Sequence, residues 1–444
     1  MKKRLIIFSI VLAIVAVLVV IRLPYFVNDR AEPVSDATGT DIDMTGSQNS
    51  HNQNIAEHEN IPVQDKLHAQ DNDGADIETA LHGPADGITA TEWVSNVTVG
   101  WNLGNTFDAH ENRRNPEMTV REMETRWMRH VTTPENFAAL REAGFNAVRF
   151  PVTWYKATDE EYNIREDWMA RIIEVVGYIL ESDMQVILNT HHEEEIFKLL
   201  DEQMDETKIA LAKVWEKIAN TFRDYDERLA FEGLGEPRTP GSEAQWRGGT
   251  EEERDNLNIL NQLFVDTVRE TGGNNSHRVL IIPTYAASGA EVAQRGLVIP
   301  TDSISDRLAV SLHVYTPWEF ALRTSHEGTW TQWNRNNPRD TLPITEPMDL
   351  AYELFVSNGI PIVMGEMGAI NRDNTAARAA WAEFYVSYAR SKGIACFWWD
   401  NYRSGVVERL EWGWTQPFGL FDRENNTFFH PEIVDALMAT VVSN

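Results

Sequence analysis

The chain has 444 residues, with 68 acidic side chains against 39 basic ones and a formal net charge of −29. This charge argues against nucleic acid as a partner, because phosphate binding needs clustered Lys and Arg, and it suits a neutral substrate better than a polyanionic one. The single cysteine, Cys396, excludes an intramolecular disulfide.

Residues 1–21 are typical of an export segment. Three basic residues, Lys2 to Arg4, precede an apolar run from Leu5 to Ile21. The run is short for a membrane-spanning helix and long for the core of a signal peptide, and no clear Ala-x-Ala cleavage site follows. We interpret it as a signal peptide or, with a slight preference, an uncleaved membrane anchor. Either one predicts an extracellular or cell-surface protein that meets the membrane only through this segment.

The composition of residues 22–87 predicts a disordered acidic linker. No aromatic residue lies between Val27 and Glu92, so this stretch buries too little apolar surface to offset the entropy of ordering. All 15 tryptophans follow the linker. We therefore expect one folded domain at residues 88–444, which we predict to be monomeric.

In this domain, short apolar runs alternate with amphipathic helical stretches. The strand candidates are "VTVGWNLGN", "NAVRFPVTW", "MQVILNTHH", "LAFEGLGEP", "RVLIIPTY", "LAVSLHVYTP", "IPIVMGEMG" and "IACFWWDN". The helix pattern "TTPENFAALREAG" has Thr133 as its N-cap, Pro134 in the first turn and Gly144 as its stop. Eight such units predict an α/β fold, a single (β/α)8 TIM barrel. A doubly wound sheet is the alternative, but no glycine-rich phosphate loop follows the first strand.

Polar and aromatic residues end most of the predicted strands. They are Asn102, Asn105, Arg149, His191, His192, Glu236, Tyr285, His313, Tyr315, Glu366, Trp399 and Asp400. Active sites of TIM barrels lie at the carboxyl ends of the strands. We therefore expect these side chains to line one pocket.

Two glutamates stand out among them, Glu236 after the fourth strand and Glu366 after the seventh. Carboxylates that face each other across a barrel mouth can divide the labour of proton donor and nucleophile, as retaining glycoside hydrolysis requires. The donor must then be held protonated by burial or by the other charge. The alternative is a structural role in salt bridges to an arginine such as Arg149.

The run "HHEEE" at 191–195 invites a metal interpretation. Adjacent strand residues point to opposite faces, so we do not expect His191 and His192 to bind one ion. We predict no metal and no cofactor. The flat faces of Trp399, Trp318 and Tyr315 suit the C–H surfaces of a sugar, whereas Trp398 should point the other way, into the core.

Several motifs, in order, resemble glycoside hydrolase family 5, most of all its subfamily 4 endoglucanases. They are "VGWNLGNTFDA", "GFNAVRFPVTW", "FEGLGEPR", "VSLHVYTPWEFA", "VMGEMGA", "CFWWDN" and "GLFDRENNTFFHPEIVDAL". The resemblance implies retaining hydrolysis of β-1,4-glucans such as cellulose, lichenan or xyloglucan. It implies Glu236 as acid/base and Glu366 as nucleophile. Its implied substrate-binding residues are Arg149, His191, His192, His313, Tyr315, Trp399, Asn105 and Trp318.

One position departs from the family pattern. The family motif has asparagine before the acid/base, where this chain has Gly235. That asparagine is understood to donate a hydrogen bond to the sugar 2-hydroxyl, and loss of one such donor costs on the order of 10²- to 10³-fold in rate. We expect a water in the vacant space to recover part of this loss. The chain is thus predicted to be an endoglucanase or, alternatively, a weakened enzyme that mainly binds glucan. A purely structural barrel would leave the polar strand ends unexplained.

Overall fold

The computed structural model describes residues 87–324, 330–410 and 413–440. In this part of the chain, eight parallel strands form a closed barrel in which β8 pairs with β1. The strands are β1 Gly100–Leu103, β2 Ala147–Phe150, β3 Gln185–His191, β4 Leu229–Gly235, β5 Leu280–Ser288, β6 Leu308–His313, β7 Ile362–Met367 and β8 Ile394–Asp400. Seven strands lie within their predicted segments and β5 extends three residues beyond its own, so the (β/α)8 TIM barrel is confirmed.

Helices surround the barrel and cover one of its ends. They are α1 Ala90–Asn96, α2 Val120–Glu124, α3 Pro134–Glu142, α4 Glu166–Glu181, α5 Met204–Thr221, α6 Glu251–Glu270, α7 Glu291–Gly296, α8 Trp318–Ala321, α9 Pro338–Leu354, α10 Thr375–Ser391 and α11 Pro431–Ala439. Two short hairpins follow β8, one of β9 Arg409–Leu410 with β10 Gly413–Trp414 and one of β11 Phe421–Asp422 with β12 Thr427–Phe428.

The predicted limits of α3 are confirmed. The helix begins at Pro134, whose fixed φ and missing N–H suit a first helical residue, with Thr133 as N-cap. The backbone N–H of Thr133 donates to Oδ1 of Asn136 at 3.1 Å. Gly144 follows the helix at φ +103°, a value that few other residues adopt, and turns the chain toward β2.

The predicted export segment at residues 1–21, and all but the last residue of the predicted linker at 22–87, lie outside the described residues. None of the helices in the described part is both long and apolar enough to cross a bilayer.

The barrel interior changes from apolar to polar along the strands. At its amino-terminal end, Ala147, Ile187 and Ala230 belong to a buried cluster that Trp93 of α1 closes from below. Strand side chains alternate with a period of two, so the next inward positions lie one layer higher. There the barrel holds polar residues instead, namely Arg149, Asn189, Glu232 and Ser311, all of them buried.

Irregular pairing near the carboxyl ends of the strands re-aims the side chains above this layer. Along β6 and β7, Leu312 pairs with Met364, and the next pair is His313 with Glu366. The extra residue in β7 is Gly365, and a bulge of this kind changes which face of the sheet the following side chains occupy. Glu366 is thereby brought level with His313 at the barrel mouth.

Candidate active site

Arg149 is the centre of the polar layer below the barrel mouth. Its guanidinium is fully buried and donates through Nε to Oε2 of Glu232 at 2.7 Å, and through Nη1 to Oδ1 of Asn102 at 3.0 Å and to Oε1 of Glu366 at 2.8 Å. Asn189 also donates to Oε2 of Glu232, at 2.9 Å. Glu232 therefore braces Arg149 from inside the barrel, while Arg149 holds Glu366.

Glu366 has both carboxylate oxygens fixed. Besides the bond from Arg149 to Oε1, the hydroxyl of Tyr315 donates to Oε2 at 2.7 Å. Glu366 is only 4% exposed. Two donors on a buried carboxylate hold it in one orientation, which is what attack on a bound substrate would require.

Glu236 binds His313, whose same ring nitrogen also lies near Glu366. Its Oε1 is 2.8 Å from Nδ1 of His313, and the same nitrogen is 3.5 Å from Oε1 of Glu366. One carboxylate oxygen of each glutamate and one ring nitrogen of His313 all lie within 4.8 Å of one another. The two glutamates singled out from the sequence therefore share one small site.

The environments of the two carboxyl groups shift their pKa values apart. Burial raises the pKa of Glu366 above its ordinary value, and the charges of His313 and Arg149 offset only part of this. Burial acts in the same direction on Glu236, but the hydrogen bond and charge of His313, with the charge of Arg238, outweigh it and lower the pKa to about 2. Without substrate, His313 and Arg238 therefore favour the ionised form of Glu236, whereas the sequence led us to expect a protonated group.

The expected orientation of His191 and His192 is wrong. Strand β3 ends at His191, and His192 has φ +55°, so the alternation of faces stops between them. Their ring centroids lie 4.3 Å apart, and ligand atoms of both rings and of Asp108 lie within 4.8 Å of one another. The oxygens of Asp108 already accept from the backbone N–H groups of Asn105 and Thr106. That no metal binds here stays a prediction.

The space beside Gly235 is filled. A Cβ atom built on Gly235 would lie 2.3 Å from Nδ1 of His191 and 2.9 Å from the carbonyl oxygen of Thr190. The expectation that a water occupies a vacant side-chain position here is therefore wrong, because the imidazole of His191 lies in that position.

The three predicted aromatic platforms differ in position. The ring of Trp399 lies nearly parallel to that of His191, with centroids 5.9 Å apart, while Trp398 is buried as predicted and donates from Nε1 to the carbonyl of Phe418. Tyr315 binds Glu366, as described above. Trp318 begins α8, is 40% exposed and packs under the guanidinium of Arg323. It therefore lies outside the hydrogen-bonded cluster.

Two other predicted residues line the first loop. His192 contacts the rings of His110 and Trp127, with centroids 4.7 and 5.9 Å apart. Burial lowers the pKa of His192 to about 3. Asn105 is half-buried at φ +58°, and its backbone N–H binds Asp108. The structure thus brings His192 beside His191 but does not place Asn105 in the hydrogen-bonded carboxylate cluster.

A group next to Glu236 escaped the sequence analysis. Arg238 donates from Nη1 to the carbonyl oxygen of Glu236 at 2.9 Å and lies 2.8 Å from Oε1 of Glu194. Its guanidinium lies over the ring of Trp246, 4.8 Å from the centroid, and Trp246 is 46% exposed. The only sequence signal was the position of Arg238, two residues after the acid, since Trp246 stands in a loop without periodicity.

The chain matches the family model described as cellulase, glycosyl hydrolase family 5, over residues 110–405, which include both glutamates. Cellulase/esterase CelE of Acetivibrio thermocellus is 40% identical over 372 residues, which are 82% of this chain and 42% of that protein. This chain thus spans less than half of that relative. Endoglucanase A of Ruminococcus albus is 36% identical over 368 residues, which are 82% of this chain and 95% of the relative.

Solved structures show the same similarity. A GH5-4 broad specificity endoglucanase from Ruminococcus champanellensis with bound cellotriose is 38% identical, with a TM-score of 0.75 over 80% of this chain and 100% of that one. A family 5 lichenase from Caldicellulosiruptor sp. F32, in complex with cellotetraose, is 35% identical, with a TM-score of 0.74 over 81% of this chain and 97% of that one.

Proposed function

Since the chain belongs to glycosyl hydrolase family 5, we propose that it is an endo-β-1,4-glucanase that cleaves β-glucans with retention of anomeric configuration. The observation that carries this proposal is the approach of the two carboxylates, with oxygens within 4.8 Å of each other. Retaining glycosidases hold their carboxyl groups about 5–5.5 Å apart, whereas inverting enzymes leave about 6.5–9.5 Å for a water.

In the proposed reaction, Glu366 attacks the anomeric carbon while Glu236 protonates the leaving oxygen. The bond from the sugar to the leaving group breaks and a covalent ester to Glu366 forms. Glu236 then takes a proton from water, which attacks the ester and releases the sugar with its original configuration. Arg149 and Tyr315 hold Glu366 in place for the attack.

Glu236 has to gain a proton before it can donate one. Its low pKa depends on the bond from His313, whose Nδ1 lies within 3.5 Å of both carboxylates. A sugar in the site excludes water, which makes a second negative charge on the pair more costly and so favours one shared proton. The reaction needs this proton on Glu236, and Nδ1 of His313, which lies near both carboxylates, offers the path.

The pH dependence of kcat/KM should be bell-shaped. Activity needs one proton on the pair, so it is lost at low pH when Glu236 and Glu366 both carry one and at high pH when neither does. Burial raises the pKa of Glu366, so the pair loses its last proton only above the ordinary pKa range of a glutamate. The fall in activity at high pH should therefore lie above that range. Initial rates measured from pH 3 to 10 test this, and a profile that stays flat from about pH 4 to 9 would contradict it.

Substrate range is proposed from the relatives. Their names include a broad specificity endoglucanase and a lichenase, with cellotriose and cellotetraose bound. Cellulose-like chains and mixed-linkage glucans are therefore the first candidates, with xyloglucan next. Release of reducing ends with a rapid fall in viscosity would support internal cleavage, and proton NMR of fresh product from an aryl cellobioside should show the β-anomer first.

The assay of reducing-end release also distinguishes an active endoglucanase from the alternative, a glucan-binding protein with weakened catalysis. If the full-length chain releases no more reducing sugar than its Glu236→Gln variant but still binds glucan, the alternative is correct. Release of the α-anomer first would instead contradict the retaining mechanism.

Trp246 is expected to bind sugar on the leaving-group side, because its loop follows the strand that carries Glu236. Trp246→Ala should lower kcat/KM on barley β-glucan by about tenfold, the loss of one stacked aromatic face of about 1.4 kcal/mol. Tyr352→Ala is the matched control, since Tyr352 is similarly exposed, at 42%, on α9. Equal rates for the wild type and Trp246→Ala would remove Trp246 from the binding surface.

We also propose that the enzyme acts outside the cell or at its surface as a monomer, without a cofactor. The basic and apolar residues at positions 2–21 support export. Fractionation of cells that produce the full-length chain would test the proposed location, and activity confined to the cytosol would refute export.

A further inference from the structure

Gly235 leaves no room for a side chain beside Glu236. Its Cβ position would be 2.3 Å from Nδ1 and 3.1 Å from Cγ of His191, and 2.9 Å from the carbonyl oxygen of Thr190. Contacts this short cannot form without a shift of the ring or of the backbone. The absence of a side chain at residue 235 and the position of the His191 ring are therefore two aspects of one arrangement.

This arrangement gives the two ring nitrogens of His191 different surroundings. Nδ1 is buried and has no hydrogen-bond partner among the described residues, whereas Nε2 lies 4.0 Å from Oε1 of Glu366. Burial lowers the pKa of His191 well below its ordinary value, so the ring is neutral and carries one N–H. A hydrogen on Nδ1 would be buried without an acceptor. The N–H therefore belongs on Nε2, and it faces the nucleophile.

The gap between Nε2 of His191 and Oε1 of Glu366 suits one hydroxyl group. The two atoms are 4.0 Å apart, too far for a direct hydrogen bond, but an oxygen placed about 2.8 Å from each completes the bridge. Glu366 attacks the anomeric carbon, so the hydroxyl closest to its carboxylate is the one on the neighbouring carbon, the 2-hydroxyl. Hydrogen bonds to that hydroxyl strengthen in the transition state.

We propose that His191 donates a hydrogen bond to the 2-hydroxyl of the sugar that Glu366 attacks, and that Gly235 is required because any side chain there would displace the ring. The inference rests on the proposed function and assigns a hydroxyl contact within the same site. It replaces the expectation from sequence that this chain lacks such a donor.

Removal of the hydroxyl from the substrate tests the contact in an unaltered protein. The full-length wild type and His191→Ala are assayed with an aryl β-cellobioside and with its analogue that lacks the 2-hydroxyl on the sugar bearing the aryl group. The missing hydroxyl should lower kcat/KM of the wild type by about 10²- to 10³-fold. In His191→Ala, the factor by which the missing hydroxyl lowers kcat/KM should be at least tenfold smaller. Equal losses in both proteins overturn the proposal.

Gly235 variants test the second half of the proposal. Gly235→Ala and Gly235→Asn should each lose activity and sensitivity to the 2-hydroxyl, as His191→Ala does. In the His191→Ala background, Gly235→Asn should regain at least tenfold in kcat/KM, because its amide then has space and can donate. The comparison of two substrates on one protein is independent of how much of it is folded. Unchanged activity and sensitivity in Gly235→Ala overturn the proposal.

Binding measurements distinguish a failure of this proposal from a failure of the proposed function. If the wild type hydrolyses neither glycoside, the function is wrong, and calorimetry with the same two ligands then decides about His191. Weaker binding of the 2-deoxy ligand to the wild type, but not to His191→Ala, supports the contact. Equal binding to the wild type, or no binding, overturns it.

Discussion

Glu366→Gln is expected to lower kcat on β-glucan by about 10⁴-fold or more, and Glu236→Gln by about 10²- to 10⁴-fold, the range of one positioned proton-transfer group. Glutamine keeps the size and one oxygen of each side chain, so the loss reports the chemistry of the carboxylate. Initial rates of reducing-sugar release measure both effects.

A substrate with a good leaving group should separate the two roles. A dinitrophenyl cellobioside needs no proton on its leaving oxygen, so Glu236→Gln should form the covalent intermediate at nearly the wild-type rate and then release sugar slowly. The expected result is a burst of dinitrophenol followed by a slow phase. Glu366→Gln has no nucleophile and should show neither, whatever the leaving group.

Glu243→Gln is the matched control for both substitutions. Glu243 lies in the loop after β4, and its side chain is 90% exposed in a pair with Arg247. Its loss should change the rate less than twofold. A burst from Glu366→Gln, or equal losses with both leaving groups in Glu236→Gln, would contradict the assignment of donor and nucleophile.

The strands and the carboxylate pair follow from the sequence because they depend on local pattern. Eight apolar runs of strand length specify eight parallel strands, and parallel strands present their carboxyl ends at one mouth. Glu236 and Glu366 were found because each directly ends such a run. Glu232, which braces Arg149, lies on the same strand four residues before Glu236 and therefore deeper in the barrel.

The sequence-based predictions were wrong where the alternation of side chains along a strand ends. His191 and His192 were assigned to opposite faces, but His192 at φ +55° is no longer in the strand. Gly235 was interpreted as a vacancy, because no sequence pattern shows that the ring of a residue on the neighbouring strand fills it. Arg238 and Trp246 meet across a loop of irregular backbone, where sequence spacing does not determine which side chains touch.

Arg149→Met is expected to destabilise the fold by about 3–5 kcal/mol, because it leaves the carboxylates of Glu232 and Glu366 buried without their cation. For a domain of this size the melting temperature should fall by roughly 5–15 °C. Chemical denaturation of the full-length protein at pH 7 measures the change in the free energy of unfolding. Arg247→Met, which removes an exposed guanidinium paired with Glu243, should change it by less than about 0.5 kcal/mol.

The loss of unfolding free energy in Arg149→Met should decrease as the pH falls. Burial opposes ionisation of Glu232, but the charge of Arg149, together with the charge of His313 and hydrogen bonds, outweighs it and holds the pKa below the ordinary 4.5. A lowered pKa contributes stability above the unfolded value, and this contribution is lost as the pH falls through the folded one. In Arg149→Met, burial acts on Glu232 without that charge, so its pKa rises and it folds protonated. The difference in unfolding free energy between wild type and variant should therefore be largest near pH 7 and shrink below about pH 4.5. A difference that is the same at pH 7 and pH 4 would show that Arg149 stabilises the barrel by packing rather than by pairing with the buried carboxylates.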